Sequence, residues 1–406
     1  MNIDDLPIQW PENKSSIIKV VGVGGGGGNA VTHMYREGIK DVNFVLCNTD
    51  DQALQKSEVP VKVQLGKTVT GGLGAGNRPE KAQLAAEESA SEIETLLRDG
   101  TKMVFITAGM GGGTGTGAAP VIAKIAKGMD ILTVGIVTIP FIFEGAPKII
   151  QALKGVKKIA ETVDALLVIN NERLREIYQD IGATVKDAFK KADNTLTDAA
   201  KSIAETITIP GDINLDFADV STILKDGGVA IMSSGAAAGP NRLSQAIENA
   251  LNSPLLNNSD IYKAKKILFN IVCSSNAPLL IDEMNEIHDF MANFGADIEV
   301  IWGTAIDESL DENIKITVLA TGFGTDDVED GFLRSLVDSE DMARKEQERK
   351  LMEEYYGKDI WKKMGKKIRP KPHIFTLEEL DNDKLIEQVI NNPAYNRDSR
   401  VLHPQN

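Results

Sequence analysis

Residues 108–117 read Ala-Gly-Met-Gly-Gly-Gly-Thr-Gly-Thr-Gly: six glycines in ten positions, hydroxyls at Thr114 and Thr116, and no ionisable group. An apolar, β-favouring run, Met103–Thr107, leads into them, and Ala118–Ala126, with Pro120 near its first turn, reads as the helix that follows. Glycine backbone can approach a ligand closely because no Cβ blocks it. Free N–H groups and the positive end of a helix dipole favour an anion there. The chemistry implied is phosphate binding, with Gly112, Gly113, Thr114, Gly115 and Thr116 as the cradle.

Two further stretches repeat the pattern. Ile17–Val23 is a buried-strand run that enters Gly24, Gly25, Gly26, Gly27, Gly28 and Asn29, with a helix expected from Ala30 to Gly38. Gly71-Gly72-Leu73-Gly74-Ala75-Gly76 precedes a helix expected over about 80–98. Asp50 closes the strand Asp41–Cys47, at the end where open α/β sheets bind ligands. Gly66-Lys67-Thr68 resembles the end of a Walker A loop, but Val61 stands where its first glycine must be. Gly22, Gly24 and Gly27 satisfy G-x-G-x-x-G, with Asp50 in reach of a ribose, so a nicotinamide-dependent oxidoreductase is a rival reading. That reading leaves 71–76 and 109–117 without a role, and three converging glycine loops suit a triphosphate better than a pyrophosphate.

Hydrolysis of a phosphate chain needs a group that orients water, and none of the three loops carries one. The acidic cluster Asp212, Asp216 and Asp219, with Asn214 among them, follows a helix expected over 184–208. Val185, Phe189, Ala192, Leu196, Ala199, Ile203 and Ile207 set that helix's apolar face, and some 25 residues would span about 37 Å. If Phe189 and Asn194 meet the nucleotide, the acids at the far end reach only the nucleotide of a second molecule stacked head to tail. Such a heterologous contact propagates into a filament.

The elements that must hold these groups alternate strand and helix, which gives an α/β fold. We expect a doubly wound, mostly parallel sheet, joined by a long central helix to a smaller α+β domain with a mixed sheet. The expected divisions are a flexible arm (1–15), a nucleotide-binding domain (16–183), the central helix (184–209) and a second domain (210–323). In the second domain, strands are expected at Val229–Ser233, Ile267–Cys273, Asp297–Ile306 and Ile314–Thr321, and helices at 241–251 and 277–292. Leu280, Met284, Ile287, Met291 and Phe294 form the core face of the latter. A charged linker (324–372), read as solvated, and a C-terminal partner-binding segment (373–406) complete the chain.

A net charge of −15 over 406 residues argues against a nucleic-acid partner, and no apolar run is long enough to span a membrane. Cys47 and Cys273 stand far apart, the four histidines show no metal spacing, and the acidic N-terminus lacks a signal peptide. A cytoplasmic protein without a resident metal site is expected.

In order along the chain, Gly24–Asn29, Asn48-Thr49-Asp50, Gly72–Gly76, Gly111–Gly117, Pro140-Phe141, Phe143-Glu144-Gly145 and Asn214–Asp219 resemble the motifs of the tubulin/FtsZ family. The likeness covers about residues 16–322. It implies a GTPase that assembles head to tail and builds the cell-division ring. GTP or GDP would lie on the first and third glycine loops, with Mg2+ and, as a further candidate, K+. It also implies that Gly74, Ala75 and Gly76 sense the γ-phosphate and that Glu144 binds ribose. Asn171 with the pair Asp193-Asn194 would read guanine, with Phe189 packed on it. Asp216 and Asp219, beside Asn214, would activate water at the neighbour's GTP. The implied partners are further copies of the chain, other division proteins and a membrane tether held by the C-terminal segment, at the division site. The chain departs from the family pattern at Lys148, where an arginine is usual, so charge is kept and bidentate geometry lost. It departs also in the order Asp193-Asn194, at Met232-Ser233-Ser234-Gly235, and in the terminal Pro393-Ala394-Tyr395-Asn396-Arg397. A nucleotide-binding scaffold without turnover is the remaining alternative.

Overall fold

A computed structural model describes residues 16–39, 41–178, 184–209, 213–252, 261–292, 294, 298–323, 351–357 and 360. The expected arm, Asp212, the linker up to 350 and the C-terminal segment lie outside the described residues.

Seven strands form the first sheet: β1 (Ile18–Val23), β2 (Val42–Asn48), β3 (Val61–Gln64), β4 (Met103–Gly109), β5 (Leu132–Ile139), β6 (Ala165–Asn170) and β7 (Gly228–Val229). Their order is β3-β2-β1-β4-β5-β6-β7 and every neighbouring pair is parallel. Helices on both faces bury such strands completely, which is why Leu132–Ile139 is apolar or neutral throughout and buried at every position. The strand order reverses direction between β1 and β4, the place where an open parallel sheet leaves a crevice at its carboxyl edge.

The connecting helices are α1 (Gly24–Glu37), α2 (Asp51–Gln55), α3 (Lys67–Thr70), α4 (Pro79–Glu88), α5 (Ala90–Leu97), α6 (Thr114–Gly128), α7 (Ala146–Ala160) and α8 (Asn171–Tyr178). Two of them correct the sequence reading. Gly24–Gly28 and Thr114–Gly117 are not loops; they are the first turns of α1 and α6. Each glycine inside a helix costs about 1 kcal/mol relative to alanine. Close packing offsets it: a Cβ on Gly27 would lie 2.1 Å from the Thr107 carbonyl, and one on Gly117 2.0 Å from that of Pro79. Pro120 accordingly sits inside α6 and not at its start. The helix expected over 80–98 breaks at Ser89, whose hydroxyl accepts from Gly66 N at 3.0 Å.

Helix α9 (Val185–Thr208) runs unbroken for 24 residues, about 36 Å. Thr184 caps it: its hydroxyl accepts from Asp187 N at 3.3 Å, and Asp187 Oδ2 accepts from Thr184 N at 2.9 Å. Ala192, Leu196, Ala199, Ala200, Ile203 and Ala204 bury one face in a core shared with both sheets.

After α10 (Phe217–Leu224) the chain leaves the first sheet at Val229 and enters the second at Ile231, so the strand expected at Val229–Ser233 is two strands. The second sheet joins β8 (Ile231–Ala237), β9 (Lys266–Cys273), β10 (Glu299–Ile306) and β11 (Ile314–Thr321) in the order β10-β9-β11-β8. It is mixed: β10 and β9 are parallel, the other pairs antiparallel. Helices α11 (Arg242–Leu251) and α12 (Glu283–Met291) cover one face. Helix α12 is shorter than expected because Pro278 disfavours helical backbone just before it and Glu283 accepts from Leu280 N at 2.7 Å. Leu280 is therefore exposed and does not join the core face with Ile287 and Phe294.

The charged segment, read as a solvated helix or linker, is helical at its described part but not solvated on every face. Residues 351–356 are helical, and Leu351, Met352, Tyr356 and Ile360 are buried. Charged neighbours occupy the other face, so composition alone reads as a solvated segment.

Candidate functional site

At the β1/β4 switch point the three glycine-rich stretches meet. A Cβ on Gly24 would lie 2.9 Å from Gly115 N, so the ends of β1 and β4 carry α1 and α6 into contact. Thr49 Oγ1 and Thr114 Oγ1 share a hydrogen bond of 2.7 Å, and Gly74 N donates to Thr49 O at 3.1 Å. Ala75 is buried against Gly113, whose Cβ position would fall 3.0 Å from the Ala75 methyl. Gly25, Gly28 and Gly112, by contrast, face open space. The glycines thus divide: Gly24, Gly27, Gly113, Gly115 and Gly117 let backbones pack, while Gly25, Gly28 and Gly112 leave a surface bare for a ligand.

Gly25, Gly28, Asn29, Phe189 and Asp193 line one cavity of about 530 Å3, large enough for a nucleoside. Phe189 is half-exposed there, with its ring edge 5.1 Å from Phe141 and 6.5 Å from Phe143 by centroids. Burial pushes the Asp193 carboxyl up to about 6. Two acceptors in this region are buried without a hydrogen-bond partner among the described residues: Asn171 Oδ1 and Asn194 Oδ1. Unpaired buried carbonyls of this kind are costly and mark a place for donors from a ligand.

Glu144 Oε1 accepts from Phe141 N at 2.9 Å, and Oε2 pairs with Lys148 at 2.5 Å. Lys148, expected to contact the nucleotide, is therefore engaged by the residue expected to bind ribose, Glu144. Asp50 caps α2, with Oδ1 accepting from Ala53 N at 3.1 Å, which commits it to structure and removes the main support for a dinucleotide ribose contact.

Three residues of the site escape sequence reasoning. Gln151, on α7, donates to the carbonyls of Gly111 at 3.0 Å and Gly112 at 3.1 Å, holding that loop's carbonyls on one side. Glu172 is buried and accepts from Ile142 N at 3.0 Å, fixing the loop that carries Glu144. Asn170 Oδ1 in turn accepts from Glu172 N at 3.0 Å. No residue pattern announces these, because each acts from a helix or strand end on a loop distant in sequence.

The acidic cluster is elsewhere. Asp216 Oδ1 accepts from Ala218 N at 2.7 Å and Asp219 N at 3.0 Å, while Asp219 Oδ2 accepts from Asp216 N at 2.9 Å, a reciprocal cap on α10. Asn214 and Asp216 are exposed. Phe189 and Thr208 stand 19 positions apart on α9, about 28 Å along its axis, and the acids follow its far end. One molecule does not bring the acids to its own cavity. No group of three or more histidine, cysteine or carboxylate side chains suited to a metal occurs among the described residues.

The comparisons with known proteins give this geometry its context. The model of the Tubulin/FtsZ family, GTPase domain, matches residues 17–179, and that of the FtsZ family, C-terminal domain, matches 228–324. The cell division protein FtsZ of Porphyromonas gingivalis (strain ATCC BAA-308 / W83) is 53% identical over 397 residues, 95% of this chain and 86% of that protein.

The chain belongs to the tubulin/FtsZ family.

Another member, the cell division protein FtsZ of Wigglesworthia glossinidia brevipalpis, is 46% identical over 312 residues, 77% of this chain and 80% of that protein. Among solved structures of the family, an empty FtsZ dimer from M. jannaschii superposes with a TM-score of 0.70 at 40% identity, covering 77% of this chain and 89% of that one. A GTPgS-bound protofilament of CetZ2 from Haloferax volcanii, at 22% identity, shares the fold with a TM-score of 0.68, covering 82% of this chain and 99% of that one. Family membership makes the chain a GTPase with a tubulin-like fold and sets aside the nicotinamide reading.

Proposed function

We propose that this chain binds GTP across the β1/β4 switch point and hydrolyses it only within head-to-tail filaments, as part of the machinery of cell division. The observation that carries the reading is the separation along α9: the nucleotide cavity lies at one end and the exposed acids at the other. Asp216 and Asp219 of one molecule, with Asn214 beside them, would orient water at the γ-phosphate held by the next. The acidic loop lies against β10 through Ile213 and Leu215, and the exposed apolar side chains Ile213, Leu280, Ile281 and Ile306 gather at that end of the second sheet. Leu73 and Phe143 are exposed beside the nucleotide loops. Two apolar ends on one molecule suit a heterologous, propagating contact. The division proteins and the protofilament among the relatives agree with it.

In the bound state Gly25–Gly28 and Gly112–Thr116 would hold the phosphates through N–H groups, hydroxyls and the N-terminal ends of α1 and α6. Gly74, Ala75 and Gly76 would meet the γ-phosphate. Glu144 would take the ribose hydroxyls, exchanging part of its contact with Lys148. The unpaired oxygens of Asn171 and Asn194 fit the N1–H and N2–H donors of guanine, with Asp193 beside them and Phe189 packed on the base. The phosphate cradle contains no ionisable side chain, and Lys148 is already paired with Glu144. Charge neutralisation by Mg2+, with K+ as a further candidate, therefore suits the site. No helix among the described residues is long and apolar enough to cross a membrane, so a tether held by residues 373–406 is the proposed link to it, at the division site.

Asp216→Asn keeps the cap, since asparagine serves as well at a helix N-terminus, and removes the carboxylate. It is expected to bind GTP and assemble like the parent while phosphate release falls about 100-fold or more. Lost nucleotide binding, or turnover at the parent rate, would contradict the assigned role. Assembly without phosphate release in the parent itself would favour the non-hydrolysing scaffold.

A further inference from the structure

The phosphate, ribose and guanine contacts leave the described residues 351–357, with Ile360, without a role. Met352 and Tyr356 stand one turn apart on the helix 351–356, and with Leu351 and, beyond the break at Gly357, Ile360 they are 0, 6, 7 and 0% exposed. Helix formation in so short a segment comes from packing and not from propensity.

Two hydrogen bonds tie this face to the nucleotide wall. Tyr356 Oη donates to Pro140 O at 2.5 Å, and Asn170 Nδ2 donates to Tyr355 O at 2.7 Å. Pro140 directly precedes Phe141, whose N–H holds Glu144 and whose ring meets Phe189. Asn170 directly precedes Asn171 and, through Glu172, also holds Ile142 N. A single polar network therefore joins Tyr355 and Tyr356 to the stretch assigned to ribose and to the stretch assigned to guanine. The buried Tyr356 hydroxyl, with the carboxylates of Glu172 and Glu144 near it, is held far above its ordinary range and stays a donor throughout physiological pH.

We infer that residues 351–357 are a latch on the nucleotide pocket, with Tyr356 a positioning residue for its ribose and guanine wall, so that docking of the latch and binding of nucleotide reinforce each other. This rests on the reading of the cavity as the GTP site. Linkage makes the effect reciprocal: if the docked latch strengthens nucleotide binding by some factor, nucleotide strengthens docking by the same factor. The chain continues from the latch into 361–406, so a partner that drew the chain away from Pro140 would lower nucleotide affinity.

The test uses the full chain, stripped of nucleotide and kept below its assembly concentration, titrated with fluorescently labelled GDP. Tyr356→Phe is expected to weaken GDP binding roughly 3- to 10-fold, the range produced by loss of one neutral hydrogen bond. Met352→Glu, which cannot dock, is expected to weaken it at least as much. In assembled protein, KM for GTP rises while kcat holds, because the wall contacts ground and transition states alike. In the parent protein, GDP should slow amide hydrogen exchange at 351–357. Parent-like GDP affinity in Tyr356→Phe, or exchange at 351–357 indifferent to GDP, overturns the latch and leaves the site reading standing. A parent protein without GDP affinity overturns both. Should Met352→Glu fail to fold, Tyr356→Phe and the exchange measurement decide alone.

Discussion

Single residues in this chain do jobs that their type does not announce. The glycine runs read from sequence as bare phosphate loops, yet half of those glycines exist so that backbones can touch: Gly24 against Gly115, Gly27 against Thr107. Sequence cannot separate the two because both uses demand the absence of a Cβ. Asn171 and Asn194, named by family resemblance, both have a buried side-chain oxygen without a partner, as Thr107 does at the end of β4, which is an independent structural sign of a ligand. Asp193 gives a prediction at this scale. Its carboxyl sits at about 6, above the ordinary 3.8, because burial disfavours its charge. A carboxyl raised in this way contributes stability that is complete below its unfolded value and is lost as pH rises through about 6. If it accepts from guanine donors, nucleotide favours the ionised form, so GDP affinity should rise between pH 5 and pH 7. Asp193→Asn should flatten that rise. A pH profile identical in parent and variant would remove Asp193 from the base site.

Elements were legible where a hydrophobic period or a cap marked them. The steps of four and three along 184–208 gave α9 to within a residue at each end, because its Thr184–Asp187 capping box and its apolar face agree. The beginnings of α1 and α6 were misread because glycine propensity opposes helix, and tertiary contact overrides it. Gln151 and Glu172 were invisible for a different reason: a side chain that braces a loop from a neighbouring helix leaves no local pattern. Helix α1 supplies the prediction. Gly27→Ala forces a methyl into the Thr107 carbonyl, 2.1 Å away, and α1 must shift from β4. The urea midpoint should fall by an amount equivalent to about 1–3 kcal/mol, with weakened GDP binding alongside. An unchanged midpoint would mean that the packing role given to Gly27 is wrong.

At the scale of the whole molecule, strand–helix alternation announces a parallel, doubly wound sheet, while the strand order, and with it the switch point between β1 and β4, comes from the structure. The burial of Leu351, Met352, Tyr356 and Ile360 does not follow from sequence: four such residues among many charges fail to outweigh composition. The central helix was readable, and with it the one geometric fact on which function turns. Its length keeps Asp216 and Asp219 away from the cavity of their own molecule, so under the proposed roles of these two acids a complete active site needs two copies. GTP hydrolysis measured per molecule, from nanomolar to tens of micromolar protein, tests this most directly. The composite site predicts a rate near zero at the low end that climbs steeply once filaments form; a rate per molecule that is constant across the range would contradict it.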